Sequence, residues 1–348
     1  MAYRVTLIPG DGIGPEVVGA AVRVLEATGV GFEWDRQEGG LVAVELHGEP
    51  MPDATLDSIG RTRLALKGPL TTPVGTGFRS VNVRLRQRFD LYANVRPAVT
   101  LPNTKGPFKD IDLVLYRENT EDLYSGIEYF DERNQIADSI ARLSRKGCER
   151  ILRFAFEDAR KRGRKRITLV HKANILKVTG GLFLSVGRQI APDYPDIQFD
   201  DRIVDNMAMQ LVINPHQYDC LVTTNLFGDI LSDLMAGLVG GLGVTGAANI
   251  GEDCAIFEAV HGSAPDIAGK GLANPTALIR SGEMMLRHLG EHAAADAVAG
   301  ALLDVYTEGT HLTADLGGTT STHDFGEAVA ARVRERVGAS ASEAPAQL

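Results

Sequence analysis

Arg4-Val-Thr-Leu-Ile-Pro-Gly-Asp-Gly-Ile-Gly-Pro15 opens the chain with a strand-like apolar run, a glycine-rich turn and a proline suited to the first turn of a helix. A strand that passes through glycines into a helix invites a dinucleotide-binding reading. That reading fails, because the fingerprint needs G-x-G-x-x-G and Pro15 stands where its last glycine should be. The β-turn-α unit itself survives, and it recurs. Strand-like runs at 4–8, 64–66, 113–116, 167–170 and 220–223 alternate with helical patterns at 15–27, 149–162, 180–190, 207–214, 229–238 and 276–289. Such alternation predicts an α/β fold with a largely parallel sheet, and the failed fingerprint argues against a Rossmann fold. A second glycine cluster, 237–246, serves either as a tight helix exit or as a phosphate contact. No Walker-type sequence occurs.

A length of 348 residues with 44% hydrophobic content accommodates about two domains around a sizeable core. Net charge −9 and a pI near 5.4 argue against a nucleic-acid or anionic-membrane binder. Cys148, Cys220 and Cys254 form no C-x-x-C and cannot all pair, which favours a reducing compartment. The first residues enter a strand pattern without a signal-like leader, and no charge-free apolar run reaches the ~18 residues of a membrane span. The expectation is a cytoplasmic protein.

Asn225-Leu-Phe-Gly-Asp-Ile-Leu-Ser-Asp233 sets Asp229 and Asp233 one helical turn apart, just past a strand. On a bare helix such like charges repel by roughly 0.2–0.5 kcal/mol, and a hard divalent cation would reverse the sign. The alternative is a solvated helix face. Arg79, Arg84, Arg86, Arg88 and Arg96 crowd a short stretch in which Asp90 is the one acid. Converging guanidinium forks suit a substrate with several carboxylates, whereas a solvated basic helix face is the plainer reading. Ser80 and Asn82 either bind a third carboxylate or cap the helix that starts there. Arg117 and Tyr124 follow one strand and Lys172 another, at ends where open α/β sheets place their ligand crevices. A lysine held near cations and partly desolvated loses its proton near neutrality, and a tyrosine beside it then shuttles protons.

The runs Ile8–Glu16, Gly68–Val74, Asp90–Pro97, Tyr116–Glu128, His171–Asn174, Asn225–Asp233 and His261–Lys270 together resemble the β-decarboxylating dehydrogenases, which act on isocitrate, homoisocitrate or 3-isopropylmalate. The resemblance runs from Val5 to about Gly338, in the family's order. It implies two α/β domains: a large one from 1–91 and 260–338 on the cofactor side, and a small one from 92–121 and 147–259 on the substrate, metal and dimer side. Residues 122–146 would form an intersubunit arm and 339–348 a disordered tail. By the same resemblance, Arg86, Arg96 and Arg117 grip the carboxylates of a malate-like core, and Asp205, Asp229 and Asp233 hold Mg²⁺ or Mn²⁺. Tyr124 and Lys172 match the catalytic acid and base. The family's dimers share their sites, so Lys172 and Asp205 would reach the pocket of the neighbouring subunit in a homodimer.

Isocitrate enzymes resemble this chain at Ser80 and Asn82, whereas isopropylmalate enzymes carry an apolar residue there. A small tricarboxylate, isocitrate, is therefore the expected substrate, oxidised and decarboxylated to 2-oxoglutarate and CO₂. Homoisocitrate and 3-isopropylmalate are the alternatives, and a non-catalytic regulatory subunit is the rival of another class. Asp266 and Ile267 stand where NADP-using relatives carry lysine and tyrosine, and an aspartate repels a 2′-phosphate, so NAD is the expected cofactor. His261, with Gly262 beside it, and Asn274 match adenine-side positions. Thr71, Thr72 and Asn174 resemble residues near the nicotinamide, or else are loop caps.

Overall fold

The computed structural model describes residues 2–71 and 80–343. Its strands are β1 (Tyr3–Ile8), β2 (Phe32–Arg36), β3 (Leu64–Lys67), β4 (Ala93–Val99), β5 (Asp112–Glu118), β6 (Glu128–Asp131), β7 (Ile136–Ser139), β8 (Arg166–His171), β9 (Gln198–Ile203), β10 (Cys220–Thr223), β11 (Gly246–Ile250) and β12 (Ala255–Ala259). The helices are α1 (Gly14–Glu26), α2 (Leu41–His47), α3 (Asp53–Thr62), α4 (Val81–Arg88), α5 (Arg145–Lys161), α6 (Thr179–Ile190), α7 (Val204–Ile213), α8 (Asn225–Val239), α9 (Thr276–His288), α10 (His292–Glu308) and α11 (Thr322–Glu343).

Ten strands form one sheet in the order β2-β1-β3-β12-β11-β4-β5-β10-β8-β9. The flanks are parallel, as the βα alternation predicts, and their strands are buried on both faces, as in β3, β5 and β10. The centre differs: β11 runs antiparallel to both β12 and β4, and β4 runs antiparallel to β5. This register decides what meets what. Glu258 pairs with Lys67, Asn249 with Asn94, Asn94 with Arg117, and Arg117 with Thr223, so a row of polar residues lies across the middle of an otherwise apolar sheet.

The glycine turn after β1 is a packing device. Gly10 and Gly12 have positive φ, and a Cβ there would lie 2.3 Å from the Pro69 carbonyl oxygen and 2.0 Å from that of Ser263. Backbone bonds from Asp11 to Pro69 and from Ile13 to Ser263 then tie three loops together beside the sheet. At the other cluster, Gly240 ends α8 at φ +120° against Thr104, which makes it a helix exit.

Residues 128–139 form an exposed hairpin, β6 with β7, at the place read as an arm. Two expected boundaries move. Helix α8 begins at Asn225, a turn before Asp229, and α11 continues to Glu343, into the segment expected to be a disordered tail. Residues 344–348 lie outside the described residues. Among the described residues, no helix is long and apolar enough to cross a membrane.

Candidate active site

At the end of β5, Arg117 is buried to 1% exposure and fully committed on one side. Its Nε donates to the Asn225 backbone oxygen and to Asn225 Oδ1, both at 2.9 Å, and its Nη1 donates to Asp229 Oδ1 at 2.6 Å. Gly228 makes this possible, since a Cβ there would sit 2.5 Å from Arg117 Cγ. Tyr124 lays its ring 5.1 Å from the Arg117 guanidinium carbon and donates its hydroxyl to Asp229 Oδ2 at 2.5 Å. Arg96, from β4, donates to Asn94 Oδ1 at 2.6 Å and to Ser232 Oγ at 2.5 Å, with Asp229 at 3.5 Å and Asp233 at 3.6 Å.

The electrostatics follow from this crowding. Burial, then the charges of Arg96 and Arg86, pull Arg117 down to about 9. Burial would raise Asp229, but Arg117, the Tyr124 hydroxyl and Arg96 hold it below the usual carboxylate range. Burial raises Asp233; the repulsion of Asp229 adds to that, and Arg96 only partly offsets the rise. Tyr124 is raised by burial and by its bond to Asp229, so its phenol keeps its proton at neutral pH.

Arg96, Arg117, Tyr124 and Asp229 line a cavity of about 270 Å³ that also receives Ser80 and Asn82 from the start of α4 and Arg86 from its last turn, whereas Asp233 lies outside that lining with its side chain exposed. Several of its buried polar atoms have no hydrogen-bond partner among the described residues: Arg86 Nε, Arg117 Nη2, Asn82 Oδ1 and His261 Nε2. Ser80 occupies the N-cap position of α4, yet its side chain makes no capping bond. Unpaired guanidinium nitrogens inside a protein are costly, and an anion with several carboxylates would satisfy them.

A second polar half faces the first. Lys67 and Glu258 form an ion pair at 2.7 Å, and Arg86 Nη2 lies 3.7 Å from the same carboxylate. Burial alone would raise Glu258, but Lys67 and Arg86 hold it down at about 2. Asn249 Nδ2 donates to Glu258 Oε1 at 2.8 Å, while its Oδ1 accepts from Asn94 at 2.8 Å and Asn119 at 2.9 Å. Since Asn94 holds Arg96, a continuous chain of buried bonds joins Glu258 to Arg96. The sequence reading missed Lys67, Glu258 and Asn249; a glutamate inside the apolar run Ala-Ile-Phe-Glu-Ala was the available signal.

A family model described as isocitrate/isopropylmalate dehydrogenase matches residues 4–329. The chain belongs to this family. It is 47% identical over 325 residues to isocitrate dehydrogenase [NAD] catalytic subunit 5, mitochondrial, of Arabidopsis thaliana, covering 93% of this chain and 87% of that one. It is 50% identical over 318 residues to isocitrate dehydrogenase [NADP] of Thermus thermophilus, covering 90% of this chain and 64% of that one. The crystal structure of isocitrate dehydrogenase from Methylococcus capsulatus superposes with a TM-score of 0.92 at 59% identity, covering 95% of this chain and 99% of that one.

Other residues singled out from the family resemblance fall into two groups. Lys172 and Asp205 form an ion pair with each other, at the end of β8 and the start of α7. Neither lines the cavity, and among the described residues no three His, Cys, Asp or Glu side chains gather to hold a metal. The expected trio of Asp205, Asp229 and Asp233 is therefore not assembled within one chain, and Lys172 faces a carboxylate instead of cations. The hydrogen bond from Lys172 holds Asp205 below its ordinary value.

Of the residues expected to face a cofactor, His261 and Gly262 line the cavity, and burial lowers His261. The Thr71 hydroxyl bonds Ser263 Oγ at 2.7 Å, and its backbone N–H donates to buried Asp11 at 2.7 Å. Asp266 is exposed, with Ile267 half-buried, on the single turn Pro265–Ile267. The Asn274 amide is spent on Tyr306 at 3.2 Å and Asp315 at 3.1 Å, so its side chain serves the packing of this region. Asn174 is exposed, and Thr72 lies outside the described residues.

Proposed function

We propose that the protein catalyses the oxidative decarboxylation of isocitrate to 2-oxoglutarate and CO₂, using NAD with Mg²⁺ or Mn²⁺, in a homodimer whose sites draw residues from both copies. The observation that carries this reading is the set of unpartnered buried atoms Arg86 Nε, Arg117 Nη2 and Asn82 Oδ1 around one cavity, with the uncapping Ser80 hydroxyl beside them. Arg86, Arg96 and Arg117 would hold the malate-like carboxylates, and Ser80 with Asn82 the third. An isopropyl group in that place would leave each polar group unpaired, at ~1–3 kcal/mol apiece.

Asp229 and Asp233 are oxygen donors one turn apart on α8, a pairing that fits a hard divalent ion, with Asp205 of the second copy completing the set. Bound Mg²⁺ or Mn²⁺ supplies Lewis acidity toward the substrate oxygens, and bound NAD supplies the hydride acceptor. Lys172 of the second copy takes the hydroxyl proton, through Asp205 or water. After CO₂ leaves, the Tyr124 hydroxyl, kept protonated and aimed by Asp229, gives its proton to the enolate carbon.

Sharing of sites is supported by the surface around Lys172 and Asp205. Ile175, Val178, Met209, Val212, Ile213 and Ile230 are large, exposed apolar side chains on or beside α7, α8 and β8. The walls of the cleft are assigned to 1–91 with 260–338 and to 92–121 with 147–259. The exposed Asp266 carboxylate favours NAD by repelling a 2′-phosphate. Cys148, Cys220 and Cys254 are buried and free, which suits a reducing compartment such as the cytoplasm.

The test is a kinetic panel on the chain purified alone: isocitrate, homoisocitrate and isopropylmalate, each with NAD and NADP. Turnover of isocitrate with NAD is the expected result. Comparable rates with isopropylmalate would refute the substrate assignment, and no turnover at all would leave a regulatory subunit as the better description.

A further inference from the structure

Asp122 stands where the sheet gives way to the hairpin segment, and its backbone is in a conformation that other residues avoid. With φ +67° and ψ −147° it lies in a region that in effect only glycine occupies. It is also buried, at 7% exposure. Something must hold an aspartate there, and its own side chain is positioned to do so. Asp122 Oδ2 accepts from the Leu226 backbone N–H at 3.0 Å, in the first turn of α8. That helix has no cap of its own, because the side chain of Thr224 at the N-cap makes no capping bond.

The same few residues are fastened from other directions. The Asp122 N–H donates to the Arg142 carbonyl at 2.8 Å, closing the base of the hairpin segment. Its own carbonyl accepts from Ser125 Oγ at 2.8 Å. Asn225, which starts α8 and holds Arg117, donates through Nδ2 to the Glu121 carbonyl at 3.2 Å. Two residues beyond Asp122, Tyr124 turns back over α8 to Asp229.

We propose that Asp122 is a positioning residue: its carboxylate, bonded to the first turn of α8, holds a turn otherwise reserved for glycine, and that turn sets the Tyr124 hydroxyl on Asp229. This rests on the isocitrate reading for its kinetic consequence but not for its structural one. Glycine at 122 would adopt the backbone without strain and lose the bond to α8, whereas asparagine would keep an acceptor oxygen in the same place.

The experiment compares wild type, Asp122→Asn, Asp122→Gly, Tyr124→Phe and the Asp122→Gly/Tyr124→Phe pair in the full-length enzyme. Turnover is measured with isocitrate, NAD and Mn²⁺, and hydrogen exchange is followed at 122–126 and 225–229. Asp122→Gly should lower kcat by about 10²-fold, the scale of a misplaced catalytic group, with a smaller change in KM. Asp122→Asn should recover most of that loss. The double variant should be no slower than Tyr124→Phe alone, because both changes remove one function. Exchange should rise in the two segments of Asp122→Gly and stay unchanged elsewhere.

Additive losses, or normal turnover in Asp122→Gly while Tyr124→Phe is impaired, would overturn the inference. If Tyr124→Phe itself turns over normally, the role given to Tyr124 fails instead. Hydrogen exchange then decides alone: a local rise upholds the positioning by Asp122, and unchanged exchange defeats it.

Discussion

Glu258 and Lys67, register partners on adjacent parallel strands, form an ion pair at 2.7 Å with only 9% and 2% of their side chains exposed. Removing one member strands the other charge in the interior, which costs about 3–5 kcal/mol. Lys67→Met should therefore lower the urea midpoint strongly, while the double change Lys67→Met/Glu258→Leu should recover part of the loss. A single variant as stable as wild type would show that water reaches the pair.

The same carboxylate makes an acid limb. Glu258 is held at about 2 against an ordinary 4.5, so the unfolded chain binds its proton first as pH falls. The stability it contributes is fully present above about 4.5 and is lost as pH falls toward about 2. Glu258→Gln should flatten this part of the stability profile, read as urea midpoints between those two pH values.

Asn249→Leu would take the acceptor from Asn94 and Asn119 and the donor from Glu258, at ~1–3 kcal/mol for each group left without a partner. Because Asn94 also holds Arg96, the KM for isocitrate should rise along with the loss of stability. Destabilisation with an unchanged KM would mean that Arg96 is oriented by Ser232 alone.

Asp266→Lys with Ile267→Tyr should move cofactor preference toward NADP, measured as the ratio of kcat/KM values. Both positions lie on the accessible turn Pro265–Ile267, so the exchange should leave thermal stability nearly unchanged. An unaltered ratio would place the adenosine pocket elsewhere.

Burial decided much of what the sequence disclosed and hid among the strands. Strands β1, β3, β5, β8 and β10 announced themselves because both their faces are buried, which leaves continuous apolar runs. The central strands did not. β4 carries Asn94, Arg96 and Pro97, β11 is Gly-Ala-Ala-Asn-Ile, and β12 contains Glu258. These are the residues that build the polar row, so the chemistry that makes the cleft also erases the strand signal. Gly228 likewise blurred the start of α8, because a helix-weakening glycine is needed beside Arg117. Arg86, Arg117, Tyr124 and Asp229 were legible as a set and meet in one cavity. Lys172 and Asp205 pair with each other and lie outside that cavity; the sequence carried no signal of that separation, because it depends on how β8 and α7 lie relative to α8.

The seat of β12 has a consequence for how the molecule is made. β1, β2 and β3 are translated before β12, yet β12 is the neighbour that β3 requires, and the helices packed on α1 are α9 and α11. The segment that carries β1 to β3 thus waits with a bare strand edge and an uncovered helix until Ala255–Ala259 and the residues after it have been translated. A nascent chain stalled before that point holds Lys67 without its counter-charge and the edge of β3 without its neighbour.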